Sequence, residues 1–356
     1  MRILLAVLCL ALAPLSAALA DDPYMVTGVE IDATAGNALE AQTLAIQRGQ
    51  RDAARRLVER LTLAEDRAGT PLDMSGGFQL DDAIVAELIS GLQIRDEQRS
   101  ATRYLGKLDV GFDRRSVARV MAAYGVPFVE SPSRASLVLP VYESENGFLL
   151  WEDNPWRAAW HEQNFRHALT PMAMPDPATT GPADITARQA LELDEAALRG
   201  LTERLGVSRV AVLRAGERGG ARRFGGYLVE FTADGAMTVD TWGPQSVHDG
   251  WRAAARRFVE ERETAWKQQS VVRDTETTEM RVTVLYDGLP EWRRLQTALS
   301  RASLVTNAQL DALSRDGAQM TVNYRGEFGQ LVSELAVRGA RLEDHPELGW
   351  VVLSAR

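Results

Sequence analysis

Apolar and polar positions alternate at two periods along the chain, and the switches between them mark the elements. Residues Tyr24 to Ile31 alternate as a strand does. From Leu39 to Leu61 the period changes to that of a helix: Ile46, Ala53, Ala54, Leu57, Val58 and Leu61 share one face, with Arg48, Arg51, Arg55 and Glu59 opposite. Gly69-Thr70-Pro71 ends that unit. Asp81-Asp82 predict a second helix, with the stripe Ile84, Val85, Leu88, Ile89 and Leu92. Tyr104 to Phe112 predicts a strand, and Val117, Val120, Met121 and Tyr124 predict a closing helix. Two strand–helix pairs over residues 22–132 point to a small α+β domain.

A second domain is expected over 133–272. The apolar run Ala135 to Tyr142 suits a buried strand, and Phe148 to Trp151 a short one. Asn154-Pro155 signals a helix start. Pro171 to Pro182, with four prolines, reads as a loop. Asp194 to Leu205 predicts a helix stopped by Gly206, and Arg209 to Leu213 a strand. Gly225 to Phe231 and Met237 to Thr241 predict a hairpin across Asp234-Gly235. A long helix from Val247 to Gln269 closes a unit whose alternation of strands and helices indicates α/β layering. Arg273 to Glu279 is polar and reads as a linker. The last domain, 280–356, shows the order βαββαβ: Met280 to Tyr286, Pro290 to Ala302, Leu304 onward, Met320 to Tyr324, Phe328 to Val337 and Trp350 to Leu353. That order is the split βαβ of ferredoxin-like folds. The expected whole is a multi-domain α/β and α+β protein.

The N-terminus changes the setting. Arg2, the apolar run Ile3 to Leu12, Pro14 and Ala18-Leu19-Ala20 have the three parts of a secretory signal, with cleavage expected after Ala20. That run falls short of the roughly 20 residues a bilayer demands. The expected destination is the periplasm of a bacterial envelope, with release from the cell as the alternative. Cys9, the single cysteine, lies in the leader, so no disulfide is expected. The net charge of −9 argues against nucleic acid as partner. All but Lys107 and Lys267 of the 40 basic residues are arginine. That reads as compositional bias, and it leaves little room for lysine-dependent chemistry.

Catalytic and metal signatures are wanting. His161-Glu162 and His167 stand six apart where a zinc helix needs four, and six residues turn a helix through about 600°. No G-x-S-x-G elbow and no S-x-x-K occur. No cofactor, metal or enzymatic activity is expected. Two local features suit ligands. Trp151, Trp156 and Trp160 fall within ten residues, with Trp156 and Trp160 on one helical face; they suit either a sugar-stacking platform or the core of the second domain. The stretch Gly216 to Gly226 carries Arg218, Arg222 and Arg223 and reads as a mobile hairpin loop able to cradle an anion. Arg48, Arg51, Arg55 and Arg56 read as a solvated helix face.

The pattern Ala45-Ile46-x-Arg48-x-Gln50-Arg51-Asp52-Ala53, leading to Leu57-x-x-Arg60-Leu61-Thr62, occurs with Val110-x-Phe112-Asp113. Gly125-Val126-Pro127-Phe128 and Arg134-Ala135-x-Leu137-Val138-Leu139 follow. Over roughly residues 25–260 these resemble the bacterial exported family known as domain of unknown function 2066, with Ala135 where that family carries proline. The resemblance implies an envelope location and supplies no activity and no site residues. The strand–helix order of the second domain is also similar to the amino-terminal α/β domains of envelope scaffolding proteins. The expected function is that of an envelope accessory or scaffold protein working by protein–protein contact. The alternative is a glycan-binding module or cell-wall enzyme using Trp151 to Trp160.

Overall fold

A computed structural model of the chain describes residues 22–355, apart from 233–234 and 274–275. The expected leader, residues 1–20, lies outside the described residues, as do Asp234 of the expected turn and two positions of the expected linker.

The N-terminal unit begins with strand β1 (Met25–Thr34) and helix α1 (Ala38–Leu61). Asn37 caps α1 by accepting from the Glu40 amide, which satisfies one of the donors a helix start leaves free. Helices α2 (Ala64–Arg67) and α3 (Asp82–Leu88), strands β2 (Ile89–Arg99) and β3 (Arg103–Phe112) and helix α4 (Arg114–Ala123) complete it. The antiparallel sheet runs β1-β3-β2. Ala45, Ala53, Leu57 and Val58 of α1 share one buried core with Val29, Ile31, Leu108 and Val110 of the sheet. Gly49 marks the closest approach: a Cβ there would lie 2.3 Å from Ile31 Cγ2. The stripe that predicts a helix to Leu92 misleads after Leu88. Ser90-Gly91 is a poor helix pair, and β3 offers Ile89 to Arg99 a ladder of backbone partners that wins.

The central unit contains β4 (Ser136–Ser144), β5 (Gly147–Leu149), α5 (Pro155–His161), β6 (Met172–Ala173), α6 (Ala187–Leu191), α7 (Glu195–Leu205), β7 (Arg209–Arg218), β8 (Ala221–Phe231), β9 (Met237–Ser246) and α8 (Gly250–Ser270). Its sheet is ordered β5-β4-β7-β8-β9, with β6 paired to β4. The β4–β7 pair is parallel and β7-β8-β9 is an antiparallel meander. Both faces are covered, which explains the near-continuous apolar run of β4. Val138, Ala211 and Leu213 face α5 and α8, while Leu139, Val210 and Val212 face α6 and α7. Asn154 caps α5, and Gly206 ends α7 in the left-handed conformation at φ 66°.

The C-terminal unit runs β10 (Thr277–Leu285), α9 (Leu289–Ser300), β11 (Val305–Leu313), β12 (Gly317–Arg325), α10 (Phe328–Val337), β13 (Ala340–His345) and β14 (Gly349–Ser354). Strand β12 lies between β10 and β11 and antiparallel to both. One strand more than expected follows α10. The hairpin β13–β14 inserts β14 parallel beside β10, giving the sheet order β11-β12-β10-β14-β13. The sequence βαββαβ is thus extended to βαββαββ. Among the described residues, no helix is long and apolar enough to cross a membrane.

The three units meet along the second half of α8. Glu263 accepts from the Leu169 amide (2.7 Å), Trp266 Nε1 donates to the Ser131 carbonyl (3.0 Å) and Lys267 Nζ to the Glu59 carbonyl (2.7 Å). Gln330 of α10 donates to the carbonyls of Gln269 and Val271. Next to this seam Glu334 collects Ser131 Oγ, Ser303 Oγ, the Ser303 and Leu304 amides and Arg338. Burial opposes its charge, but those donors prevail and hold the carboxyl below its ordinary value.

Two outcomes are expected. Gly49→Val should force α1 off the sheet and lower the unfolding free energy by about 1–3 kcal/mol in urea titration. Glu334→Gln should cost about 1–3 kcal/mol at pH 7. Because the native pKa of Glu334 is depressed, its stabilisation is complete above the ordinary value of 4.5 and is lost as pH falls through the native value. Urea midpoints of the two proteins should therefore converge on acidification below that point. A gap that stays constant to pH 3 would contradict the assignment.

Candidate functional site

Burial decides between the two readings of the tryptophans. Trp156 is 0 % and Trp160 4 % exposed. Trp156 packs against Trp160, Phe224 and Trp251 at centroid separations of 5.7, 5.7 and 5.8 Å, and its Nε1 donates to the Leu213 carbonyl of β7. The two indoles are the middle of the core between α5, α8 and the sheet. Trp151 is half-buried and turns its Nε1 to the Ile185 carbonyl. None of the three forms an open stacking platform, and of the two readings of Trp151, Trp156 and Trp160 their burial supports the core. His161 ends α5, whereas His167 lies beyond it with Nδ1 3.0 Å from the Asp22 carbonyl, so the two do not converge.

The reading of the stretch 216–226 is corrected. It is not a loop: β7 and β8 stay paired out to Arg218 and Ala221, and only Gly219-Gly220 turn. Both glycines have positive φ, 58° and 77°, as a two-residue hairpin turn demands. Regular pairing then sorts the three arginines by face. Arg222 points to the core side, where it pairs with Glu217 at 2.8 Å and lies over the Trp251 ring. Arg218 and Arg223 point to the other side and make no ion pair among the described residues.

That other side is a groove. Helices α6 and α7 cover the sheet over Leu139, Val212 and Val229, and beyond them the same face lies open. The groove encloses about 900 Å³ at the carboxyl ends of β4 and β7. Arg214, Arg218, Arg223, Tyr227 and Thr241 line it, over a floor that includes Gly216, Gly225 and Gly243. Two of these glycines answer to strand packing. A Cβ on Gly216 would lie 2.9 Å from that of Glu143, and one on Gly225 3.0 Å from Pro244 Cα. Gly243 has nothing within 4 Å and simply leaves the floor low. Arg214 is held by Glu143 (2.6 Å) and lies 5.1 Å from the centre of the exposed Phe148 ring. Glu145 forms part of the lip.

Of the expected anion-site residues, then, Arg218 and Arg223 come together and Arg222 does not. Arg214, Tyr227 and Thr241 escape a reading by motif, because they stand on three strands. Alternation does carry a signal: Val210, Val212, Arg214, Gly216 and Arg218 share one face of β7, and the change from apolar to polar marks where the helices stop covering it.

Replacing Trp156 by alanine should cost about 3–5 kcal/mol of stability, as expected for a fully buried aromatic, measured by urea unfolding. A loss below 1 kcal/mol would mean that the indole does not fill the core.

Comparison with protein-family models, with curated proteins and with solved structures finds no match, which leaves the family resemblance resting on the residues quoted for it.

Proposed function

We propose that the chain is an exported binding protein, an accessory or scaffold of the bacterial envelope, that captures an extended, carboxylate-bearing segment of a partner protein. The observation that carries this reading is the open half of the central sheet, where Arg218 and Arg223 make no ion pair among the described residues and stand beside a glycine floor. A backbone can approach such a floor closely. The guanidinium forks suit carboxylate side chains, and Tyr227 and Phe148 offer aromatic surface to the residues between them. The position outside the carboxyl ends of the parallel pair β4–β7 is where open α/β sheets take their ligands. The leader-like residues 1–20 and the family resemblance support the envelope as the setting.

A labelled peptide rich in Asp and Glu with interspersed aromatics should bind the chain, more weakly as salt rises. Arg218→Ala with Arg223→Ala should weaken it about tenfold, as two exposed ion pairs of up to about 1 kcal/mol each allow. Gly243→Val should raise the floor and weaken binding with the fold intact by circular dichroism. Binding by fluorescence anisotropy that is indifferent to both changes would sink the proposal.

A further inference from the structure

The C-terminal unit carries an open groove of its own, of about 1080 Å³, beside α9. Arg293, Arg294 and Arg301 of α9 line it, and Arg338 joins them from the end of α10. The three arginines of α9 are exposed, and none makes an ion pair among the described residues. Other helices of the chain neutralise their arginines at a fixed spacing. Arg55 pairs with Glu59, Arg188 with Glu192, Arg199 with Glu195, Arg256 with Glu260 and Arg338 with Glu334, each four positions apart. On α9 the positions four from Arg293 and Arg294 hold Leu289, Pro290, Thr297 and Ala298, and the one four before Arg301 is Thr297 again. The helix therefore presents cations without the carboxylates that balance them elsewhere.

Acid stands at one end of the groove only. Asp287 and Glu291 lie at the amino end of α9, where Glu291 accepts from the Asp287 amide at 2.7 Å. Arg301 stands about 15 Å farther along the helix than Glu291, beyond the range over which exposed charges compensate one another in physiological salt. At that carboxyl end Arg294 and Arg301 lie on either side of Ala298 on one helix face. Ala298 and Gly339 keep the lining small there, and a Cβ on Gly339 would meet nothing within 4 Å. Arg338 is held in place. Its Nε and Nη2 donate to Glu334 Oε1 at 3.2 and 3.0 Å, and its Nη1 makes no hydrogen bond among the described residues.

We propose that the carboxyl end of this groove binds a ligand carrying two or more phosphate groups, held by Arg294 and Arg301 with the oriented Arg338 beside them. Guanidinium forks match phosphate oxygens in geometry and keep their charge at every physiological pH. Arg294 and Arg301 are about 10 Å apart along the helix, a separation that suits two phosphates better than one. The site belongs to the C-terminal unit and does not depend on the reading given for the central sheet.

Two arms test this at constant ionic strength: isothermal titration of the purified chain with tripolyphosphate, and co-sedimentation with neutral vesicles doped with cardiolipin, a lipid of two phosphates. Saturable binding is expected, of tripolyphosphate for a soluble ligand and of the vesicles alone for a lipid headgroup. Arg294→Gln with Arg301→Gln should weaken it about tenfold or more and leave the melting temperature unchanged, since neither side chain has an ion pair to lose. Arg281 is exposed on β10 and alternates with Val282 and Val284, which face the helices, so it stands on the other side of the sheet. Arg281→Gln should bind as the parent does. No saturable binding in either arm overturns the proposal, as does a double variant that binds undiminished. An equal loss in Arg281→Gln would also overturn it, by showing attraction to overall charge instead of to a site.

Discussion

One helix face satisfies polar groups of the N-terminal and central units at once, and the C-terminal unit joins at the end of the same helix. Helix α1 ends with carbonyls that have no partner within the helix, and Lys267 of α8 takes the one at Glu59. One turn earlier Glu263 takes the Leu169 amide, and between them Trp266 takes the Ser131 carbonyl. Burial raises the Glu263 carboxyl, with the Leu169 amide, Lys267 and Arg60 opposing, and burial lowers the Lys267 ammonium, with Glu263 opposing. Each charge therefore helps to offset the burial of the other. Removing one would leave an uncompensated buried ion, which is costlier than losing the attraction alone. Arg60 adds a tie of its own, bridging the carbonyls of Pro23 and Met25 at the entry to β1.

With the units fixed in this way, what the sheets can offer a partner is narrowed. The outer strands β2, β9 and β11 are long and exposed, the kind of edge that invites pairing with another chain. Each carries a register shift in its ladder, and β9 has Pro244 beside its shift. Bulges and proline twist or interrupt the row of free amides and carbonyls. The edges are thereby poor templates for strand addition, and the faces are left to do the binding. The central sheet, covered on both sides over its middle, opens beyond α6 and α7 on one face.

How much of this could be read from residues depended on whether one face of an element was buried. Helices α1, α7 and α8 bury a stripe, and their periods are plain; the caps Asn154 and Gly206 mark ends by local chemistry that needs no tertiary context. Strand β2 was hidden because Arg95, Asp96, Glu97 and Gln98 are exposed, so no alternation survives. Strand β13, with Arg341, Glu343 and Asp344, was hidden for the same reason. The run 216–226 looked like a loop because glycine and arginine are loop-like in composition, yet pairing with neighbours on both sides overrides propensity.

The abundance of arginine, which reads as mere composition in the sequence, acquires a physical use in the structure. A guanidinium presents several donors in a plane and can tie two acceptors together, whereas an ammonium is a compact point charge. Arg51 joins the Asp82 carboxylate to the Phe78 carbonyl, Arg199 joins Glu195 to the Gly235 carbonyl, and Arg338 reaches Glu334 and the Ser131 hydroxyl. In each case one side chain staples two segments distant in sequence. Lys267 is used where a single buried carbonyl needs a single charge, and Lys107 where an exposed strand pairs with Asp96. By this division, an arginine without such a tie keeps its donors for solvent or for a ligand. Arg218 and Arg223 make no such tie among the described residues. Their forks line the groove of the central sheet, and the proposed capture of a carboxylate-bearing segment uses them there.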